Sequence, residues 1–455
     1  MKNFSSRLRG LLLAAFLLPL GLSSCSLPNG KVVAVTRDRA FISYTPVAPG
    51  SGKLRLAVKD LIDTAGHVTT AGSQYVAETA APAKRDATCV ATARRDYVTI
   101  VGKTNLTEFA FGASGMNEYY GTPVNPLDRH RISGGSSSGS AVAVANDEAD
   151  VAFGTDSAGS IRIPAACCGI LGLKTTFGLV PLEGAFPLSP KHLDSVGPMA
   201  KDVPRLVQGM ELLSPGFSSR YQAATQSKST GQQIKIGRLY LDGTDPRIDR
   251  ALDDALIAAG FRVVQLNEHP KTEWEKTSAG FRRAQPNNRF KAQWDQAQVD
   301  GGNVAMGDGF LSDRKYLDKS GVSLVTQATI RLGEVQYNTT YIEALKRRRP
   351  WQKALQQVFQ EVDLIAVPTL QSLPPRMPVL GRSGVFELQV LALQNTVAVN
   401  LAGNPAIAIP IPLPGRGFPV TSLQLIGPKL SEAELVNAAR IIAAAEAGAS
   451  STAQR

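Results

Sequence analysis

The chain has 455 residues, of which 49 are lysine or arginine and 38 are aspartate or glutamate, giving a formal net charge of +11. This length can bury a large hydrophobic core and accommodates one large domain or a few ordinary ones. The basic residues are scattered and no nucleic-acid-reading module accompanies them, so the charge excess does not indicate a nucleic-acid partner.

The first residues have the pattern of an export signal. Basic residues precede an apolar run at 11–22, which is too short to predict a membrane-spanning helix. Small residues and then Cys25 follow, an arrangement that resembles the bacterial lipobox, in which the cysteine is acylated. We predict a signal peptide over residues 1–25, a lipid anchor on Cys25 and a location on the periplasmic side of a bacterial membrane. A plain cleaved signal, leaving a soluble periplasmic or secreted chain, is the alternative.

The other cysteines do not indicate a disulfide framework or a metal site. A lipidated Cys25 leaves an odd number of thiols. Cys167 and Cys168 are adjacent in a stretch of small residues, which favours buried core thiols over a redox or metal-binding pair. No metal-ligand spacing surrounds them, and we predict neither a metal nor another cofactor.

Apolar and alternating runs predict a series of strands separated by helices. The predicted strands lie at 54–58, 98–101, 234–239, 261–266, 363–368 and 406–410, and the predicted helices at 137–149, 247–259 and 432–446. Strands that alternate with helices along the chain predict a layered α/β fold.

Two segments rich in glycine and serine, at 134–140 and 154–164, carry the strongest chemical signal. Flexible linkers do not hold aspartate, arginine, isoleucine and proline at set places, as the second segment does. Glycines beside a serine let successive N–H groups converge on a developing oxyanion, which an acyl-transfer site requires.

A serine nucleophile needs a base. None of the four histidines, at positions 67, 130, 192 and 269, has a recognisable triad context. A lysine can replace histidine where burial lowers its pKa from the usual value near ~10.4. Lys59, which directly follows the apolar strand predicted at 54–58, is the best candidate.

These segments resemble the amidase signature family. The resemblance covers ordered landmarks at 57–60, 101–109, 117–126, 168–174, 193–198, 403–406 and 423–427, and it is dense from 54 to 203. It implies one large α/β/α layered domain over residues 26–450, with a central mixed β-sheet covered by helices. The weakly matching stretch at about 215–363 is expected to form the substrate pocket. Its apolar side chains predict a partly apolar cleft lined by Phe310, Leu311, Tyr316, Leu324 and Leu332.

The resemblance also implies a catalytic triad. Ser160 would be the nucleophile, and Ser136, held in a cis peptide, would pass its proton to Lys59. An alternative nucleophile elbow centred on Ser137 fails because the residues before it do not form a buried strand. A phosphate loop at 102–104 fails because the required earlier glycine is absent.

Further residues are expected to support the triad. The resemblance implies an oxyanion hole made by the backbone N–H groups of Ser157, Ala158, Gly159 and Ser160. It places Ser137, Asp156 and Arg162 beside the site, and Arg162 is more readily interpreted as a buried structural residue than as a receptor for a substrate carboxylate. Ser157 and Ala158 depart from the common family pattern, as do Ser138 and Thr175, and these changes bear on substrate choice.

We therefore expect an exported amidase that hydrolyses a linear carboxylic acid amide to an acid and ammonia or an amine, through an acyl-enzyme on Ser160. Its partners would be a small-molecule or peptide amide, with no nucleic acid, membrane contact only through the lipid anchor, and a monomeric or homodimeric state. One alternative is an A-type amidotransferase subunit that hydrolyses glutamine for tRNA-linked amidation, against which the export signal counts. Another is an inactive amidase-like binding protein, against which the intact triad counts.

Overall fold

The computed structural model describes residues 36–268, 282–283, 288–379, 381–415 and 417–453. Within them, one mixed sheet of 12 strands has the order β1-β3-β2-β4-β6-β5-β11-β12-β10-β7-β8-β9. The strands are β1 (Phe41–Tyr44), β2 (Leu54–Lys59), β3 (Val98–Thr104), β4 (Val151–Asp156), β5 (Leu171–Lys174), β6 (Ser195–Ala200), β7 (Lys235–Arg238), β8 (Arg262–Gln265), β9 (Arg282–Arg283), β10 (Leu364–Pro368), β11 (Ala406–Pro412) and β12 (Val420–Ile426).

Helices cover this sheet. They are α1 (Gln74–Thr79), α2 (Thr88–Ala93), α3 (Ser138–Ala145), α4 (Arg162–Cys168), α5 (Val203–Leu213), α6 (Phe217–Ser227), α7 (Pro246–Ala258), α8 (Asn288–Asp313), α9 (Leu324–Thr339), α10 (Tyr341–Val358), α11 (Gly384–Ala392), α12 (Val397–Ala402) and α13 (Glu432–Ala453). The predicted layered α/β fold with a central mixed sheet is confirmed.

The sheet is buried on both faces, as β10 illustrates. Leu364 and Ala366 pack in an apolar cluster with α5, α6, α7 and α13. Ile365 and Val367, which alternate with them, pack in a second cluster with α8, α10 and α12. Because successive side chains of a strand point to opposite faces, both faces of β10 are covered, which explains its uninterrupted apolar sequence.

The predicted strands all coincide with observed strands, but one helix is shorter than expected. The helix predicted at 137–149 ends at Ala145. Asp147 adopts a left-handed conformation with φ of +60°, which a continuing α-helix does not allow. Residues 146–150, which are polar apart from Ala149, therefore belong to a turn that leads into β4.

The N-terminal prediction concerns residues that the structure does not describe. Cys25 and the predicted signal peptide at 1–25 lie outside the described residues, so both stay predictions. Within the described ranges, no helix combines the length and the apolar character that crossing a membrane requires.

Candidate active site

The strand order brings the two predicted catalytic segments to one edge of the sheet. Strand β2 runs parallel to β4, with Val58 opposite Phe153. The carboxyl ends of parallel neighbours meet at the same edge, so Lys59 at the end of β2 lies beside Thr155 and Asp156 at the end of β4. The base and the start of the nucleophile turn are therefore adjacent although 96 residues separate Lys59 from Thr155.

Among the described residues, the side chain of Lys59 forms hydrogen bonds only with hydroxyl groups. Its Nζ donates to Ser136 Oγ at 2.8 Å and to Thr155 Oγ1 at 2.8 Å, and the residue is fully buried. Burial lowers the pKa of Lys59 to about 7, although the carboxylates of Asp156 and Asp194 act in the opposite direction. A substantial fraction of Lys59 is therefore neutral near pH 7 and able to accept a proton from Ser136.

The two serines lie on neighbouring turns. Ser136 is buried and follows a cis peptide bond between Gly135 and Ser136. Ser160 lies in the turn between β4 and α4 and is 8% exposed. The N–H of Ser137 donates to the carbonyl oxygen of Ser160 at 3.1 Å, which joins the turns. The Ser160 hydroxyl has no hydrogen-bond partner among the described residues, so its oxygen is unengaged.

The turn before Ser160 is organised around the carboxylate of Asp156. The N–H of Gly159 donates to Asp156 Oδ1 at 2.8 Å, and the N–H of Ile161 donates to Oδ2 at 3.1 Å. The Gly159 N–H is thus already engaged in this structure. The N–H groups of Ala158 and Ser160 have no acceptor within the described part of the chain, which leaves them free for a developing oxyanion.

Arg162 forms an ion pair with the carboxylate of Asp156 that organises this turn. It is fully buried and pairs with Asp156, with Nη2 at 2.9 Å from Oδ1 and Nε at 3.1 Å from Oδ2. Burial alone would raise the pKa of Asp156, but the Arg162 guanidinium outweighs it and holds that pKa below its ordinary value. Because Arg162 also donates to Gln424, to Asn400 and to the carbonyl oxygen of Thr396, its donors serve the turn and not a substrate carboxylate.

Ser137, which was predicted beside the site together with Asp156 and Arg162, forms a hydrogen bond with the end of β4. Its hydroxyl donates to the carbonyl oxygen of Thr155 at 3.3 Å. A Cβ on Gly154 would lie 3.0 Å from the Ser137 hydroxyl, so the glycine there gives the serine its space. Ser137 therefore contacts the strand end that carries Thr155 and does not replace Ser160 as nucleophile.

Several residues of the site were missed by sequence reasoning. Thr155 binds Lys59, and Asp194 accepts a hydrogen bond from the Ser157 hydroxyl at 2.6 Å. Asn400 donates to Asp156 Oδ1 at 2.8 Å, and Thr396 donates through its hydroxyl to the carbonyl oxygen of Ala158 at 2.6 Å. Asp194 lies in the motif at 193–198 that resembles the family, but a sequence motif does not reveal which of its side chains contacts the turn before Ser160.

A small cavity with mostly apolar walls adjoins the site. It is lined by Thr155 and Ser157 on the catalytic side and by Leu61, Ala110, Phe186 and Leu188 opposite. Phe310 and Tyr316, which were predicted to line a cleft, pack in the apolar cluster that also contains the lining residues Leu61, Ala110 and Leu188. Leu311 and Leu324 are 37% and 80% exposed and are not among the residues that line this cavity. Both lie on helix positions that face solvent.

Cys167 and Cys168 are buried and are not bonded to each other. Both belong to α4 and pack in an apolar cluster with residues of α3. Burial raises the pKa of Cys167 to about 12, which keeps the thiol protonated and unreactive.

The electrostatics of Lys59 predict a specific pH dependence. The rate constant kcat/KM should rise with pH and reach half its maximum near pH 7, because only neutral Lys59 accepts a proton. The Asp194→Asn substitution removes a charge that raises the pKa of Lys59, so the half-maximum should move to lower pH. Asp318→Asn, at a side chain 75% exposed, is the control and should leave the profile unchanged. A profile that Asp194→Asn leaves in place, or moves upward, would contradict this account.

The turn also predicts the effect of a single methyl group. Gly159 has φ of +124°, and a Cβ there would lie 2.1 Å from Thr396 Oγ1. Gly159→Ala must therefore displace the turn that carries Ala158 and Ser160, and we expect kcat to fall about 10²–10³-fold, as when an oxyanion donor is lost. Gly178→Ala is the matched control, because Gly178 also has positive φ but a Cβ would meet nothing within 4 Å. Equal activity losses in the two variants would exclude a role for the Thr396 contact.

Comparison with known proteins places these features in a family. The family model described as Amidase matches residues 54–436. The A subunit of the glutamyl-tRNA(Gln) amidotransferase of Halobacterium salinarum is 34% identical over 431 residues, which cover 89% of this chain and 99% of that protein. The protein of the same name from Thermus thermophilus is 33% identical over 410 residues, with 87% and 84% coverage.

Solved structures show the same fold. A chain from a study of a vestigial protein complex and the evolutionary origins of an s-triazine catabolic enzyme superposes with a TM-score of 0.71 at 26% identity, covering 88% of this chain and 85% of that one. The A subunit of the glutamyl-tRNA(Gln) amidotransferase of Thermotoga maritima superposes with a TM-score of 0.69 at 24% identity, covering 88% and 86%.

These relatives overturn the expectation of an exported amidase for linear amides. Relatives about one-third identical over most of the chain carry the name of an amidotransferase subunit, which fits the alternative weighed against it. They give no support to a signal peptide, a lipid anchor or membrane attachment. Hydrolysis of a carbon–nitrogen bond and the resemblance to the amidase signature are both borne out. This chain belongs to the amidase family.

Proposed function

We propose that this chain is the glutamine-hydrolysing A-type subunit of an amidotransferase. The observation that carries the proposal is the match to the A subunit of a glutamyl-tRNA(Gln) amidotransferase, along 99% of that relative's length. The contact of Lys59 with Ser136 at 2.8 Å supports an active enzyme over an inactive binding protein, because the base, whose pKa burial lowers to about 7, is already in hydrogen-bond contact with the hydroxyl that it would deprotonate.

The geometry supports a sequence of proton transfers that begins at Lys59. Neutral Lys59 takes the proton of Ser136, which takes that of Ser160, and the Ser160 oxygen attacks the side-chain amide carbon of glutamine. The N–H groups of Ala158 and Ser160 stabilise the negative charge on the former carbonyl oxygen. The carbon–nitrogen bond then breaks, Ser136 returns a proton to the leaving nitrogen, and ammonia departs. Water attacks the remaining ester, releasing glutamate and restoring Ser160.

An amidotransferase component of this kind would pass ammonia to a second protein that carries the acceptor. The A-type name of the relatives supports an assembly with a different subunit, in place of the monomer or homodimer expected from the sequence. The acceptor would be a carboxylate, since an amide forms when ammonia displaces an activated carboxyl oxygen. The relatives' name supports glutamate attached to tRNA as that acceptor.

Conversion of glutamine to glutamate and ammonia is the direct test. The wild-type chain should release both in equal amounts, and Ser160→Ala should release neither. Because a partner subunit can be needed for turnover, each protein is also incubated with glutamine and hydroxylamine, which captures a γ-glutamyl ester as the hydroxamate. Asparagine and acetamide serve as competing amides. Absence of glutamate and of hydroxamate, with the chain alone and with its co-purified partners, would refute the assignment.

Export through residues 1–25 stays a separate prediction with its own experiment. Cells that express the full chain are labelled with palmitate and fractionated, beside cells that express Cys25→Ser. Export predicts labelled protein in the membrane fraction and loss of that label in the variant. An unlabelled cytoplasmic chain that keeps its first residues would contradict export and would agree with a role near charged tRNA.

A further inference from the structure

One segment of the chain contacts the supports of both catalytic serines. Residues 382–396, which include α11 and which we call the strap, cross the site edge from one catalytic loop to the other. Glu387 near its front binds the loop at 111–116, and Thr396 at its rear binds the turn that carries Ser160. Neither end was singled out by the sequence.

Glu387 is the anchor at the front of the strap. Its carboxylate is 3% exposed and accepts hydrogen bonds from the N–H groups of Ala113 at 3.0 Å and Ser114 at 3.2 Å, and from the Ser114 hydroxyl. Arg382 donates to the same carboxylate from Nε at 2.8 Å and to the carbonyl oxygen of Phe111 at 3.2 Å. A buried carboxylate with this many donors fixes the loop strongly, because charge-assisted hydrogen bonds are about twice as strong as neutral ones.

The loop that Glu387 holds lies directly against the residues before Ser136. The carbonyl oxygen of Ala113 accepts the N–H of Gly135 at 2.7 Å. A Cβ on Gly115 would lie 2.3 Å from the carbonyl oxygen of Gly134, so the two backbones are in close contact. A shift of this loop therefore moves Ser136.

Thr396 makes the corresponding contact with the nucleophile turn. Its hydroxyl donates to the carbonyl oxygen of Ala158 at 2.6 Å, and Gly159 packs against it without a side chain between them. Gln394 holds this end of the strap, since its Oε1 accepts the N–H groups of Thr396 at 2.7 Å and Val397 at 3.1 Å. The position of Thr396 therefore bears on Ser160.

We propose that the strap sets the distance between the hydroxyls of Ser136 and Ser160, and that Glu387 is a positioning residue for proton transfer between them. The Lys59–Ser136 contact is formed at 2.8 Å, whereas no hydrogen bond joins the side chains of Ser136 and Ser160 in the described structure. Proton transfer from Ser160 to Lys59 requires a Ser160–Ser136 contact as well as the Ser136–Lys59 contact. A movement of the strap would therefore form or break the contact between Ser160 and Ser136. This inference rests on hydrolysis by the triad and not on glutamine as the substrate.

Loss of the anchor should affect amides more than esters. Ser136 must protonate the nitrogen of an amide as it leaves, whereas a 4-nitrophenolate leaves without a proton. In Glu387→Gln we expect kcat for an amide to fall about 10–100-fold with KM nearly unchanged, as for a misplaced catalytic group. Hydrolysis of the 4-nitrophenyl ester of the same acyl group also requires Ser136 to take the proton of Ser160, so it should fall as well. The fall should be smaller than for the amide, because the 4-nitrophenolate does not need the proton that Ser136 returns to a leaving nitrogen.

Ser114→Ala, which removes one donor to Glu387, should move the amide-to-ester rate ratio in the same direction by a smaller factor. Asp253→Asn is the control, because it breaks a buried pair with Arg238 at 2.8 Å on the distant strand β7. It should lower Tm and leave the ratio unchanged.

Thermal melts of each variant separate lost folding from lost positioning. Equal losses on amide and ester in Glu387→Gln, or a ratio change of the same size in Asp253→Asn, would overturn the proposal. The ratio of amide to 4-nitrophenyl ester hydrolysis tests the role of Glu387 even if the wild-type chain does not hydrolyse glutamine. Failure of the positioning role and failure of the proposed function are therefore distinguishable.

Discussion

The burial of the Lys59 ammonium group among hydroxyls is the constraint on which the site depends. No carboxylate of the described residues forms an ion pair or hydrogen bond with Lys59, so the lysine loses its hydration on burial with little compensation and its pKa falls to about 7. Lys103, one strand away, lies 3.0 Å from the carboxylate of Asp60. Lys174 is also buried with a pKa lowered to about 7, but it donates to two backbone carbonyl oxygens. Only Lys59 of these three has a serine hydroxyl to deprotonate.

The carboxylate that acts most strongly to raise the pKa of Lys59 is that of Asp156, and it is paired with a buried arginine. Asp156 organises the N–H groups of the nucleophile turn, and Arg162 neutralises it. Without that neutralisation, a buried carboxylate close to Lys59 would raise the pKa of the lysine further and weaken it as a base at neutral pH. The pair is thus an electrostatic support that lets the turn use a carboxylate while the lysine stays available.

The C-terminal half of the chain provides much of this support. Gln424 and Asn400 bind Arg162 across sequence separations of 262 and 238 residues, and Thr396 reaches the turn across 238 residues. The central mixed sheet makes this possible, because β11 pairs with β5 and β12 pairs with β11, which brings residues from late in the chain next to the early catalytic strands.

The sequence by itself determined the layered α/β fold, through buried strands such as Leu54–Lys59 and Leu364–Pro368, because apolar alternation is a local property. It indicated Lys59 through its place after an apolar strand, and the resemblance to the amidase signature family implied the roles of Ser136 and Ser160. Only the tertiary structure assigned Thr155, Asn400 and Glu387 to the site, since their roles depend on contacts with residues far away along the chain. The exposure of Leu311 and Leu324 was likewise decided by how α8 and α9 pack, because an apolar residue in a short stretch of sequence does not reveal which side of its helix faces the core.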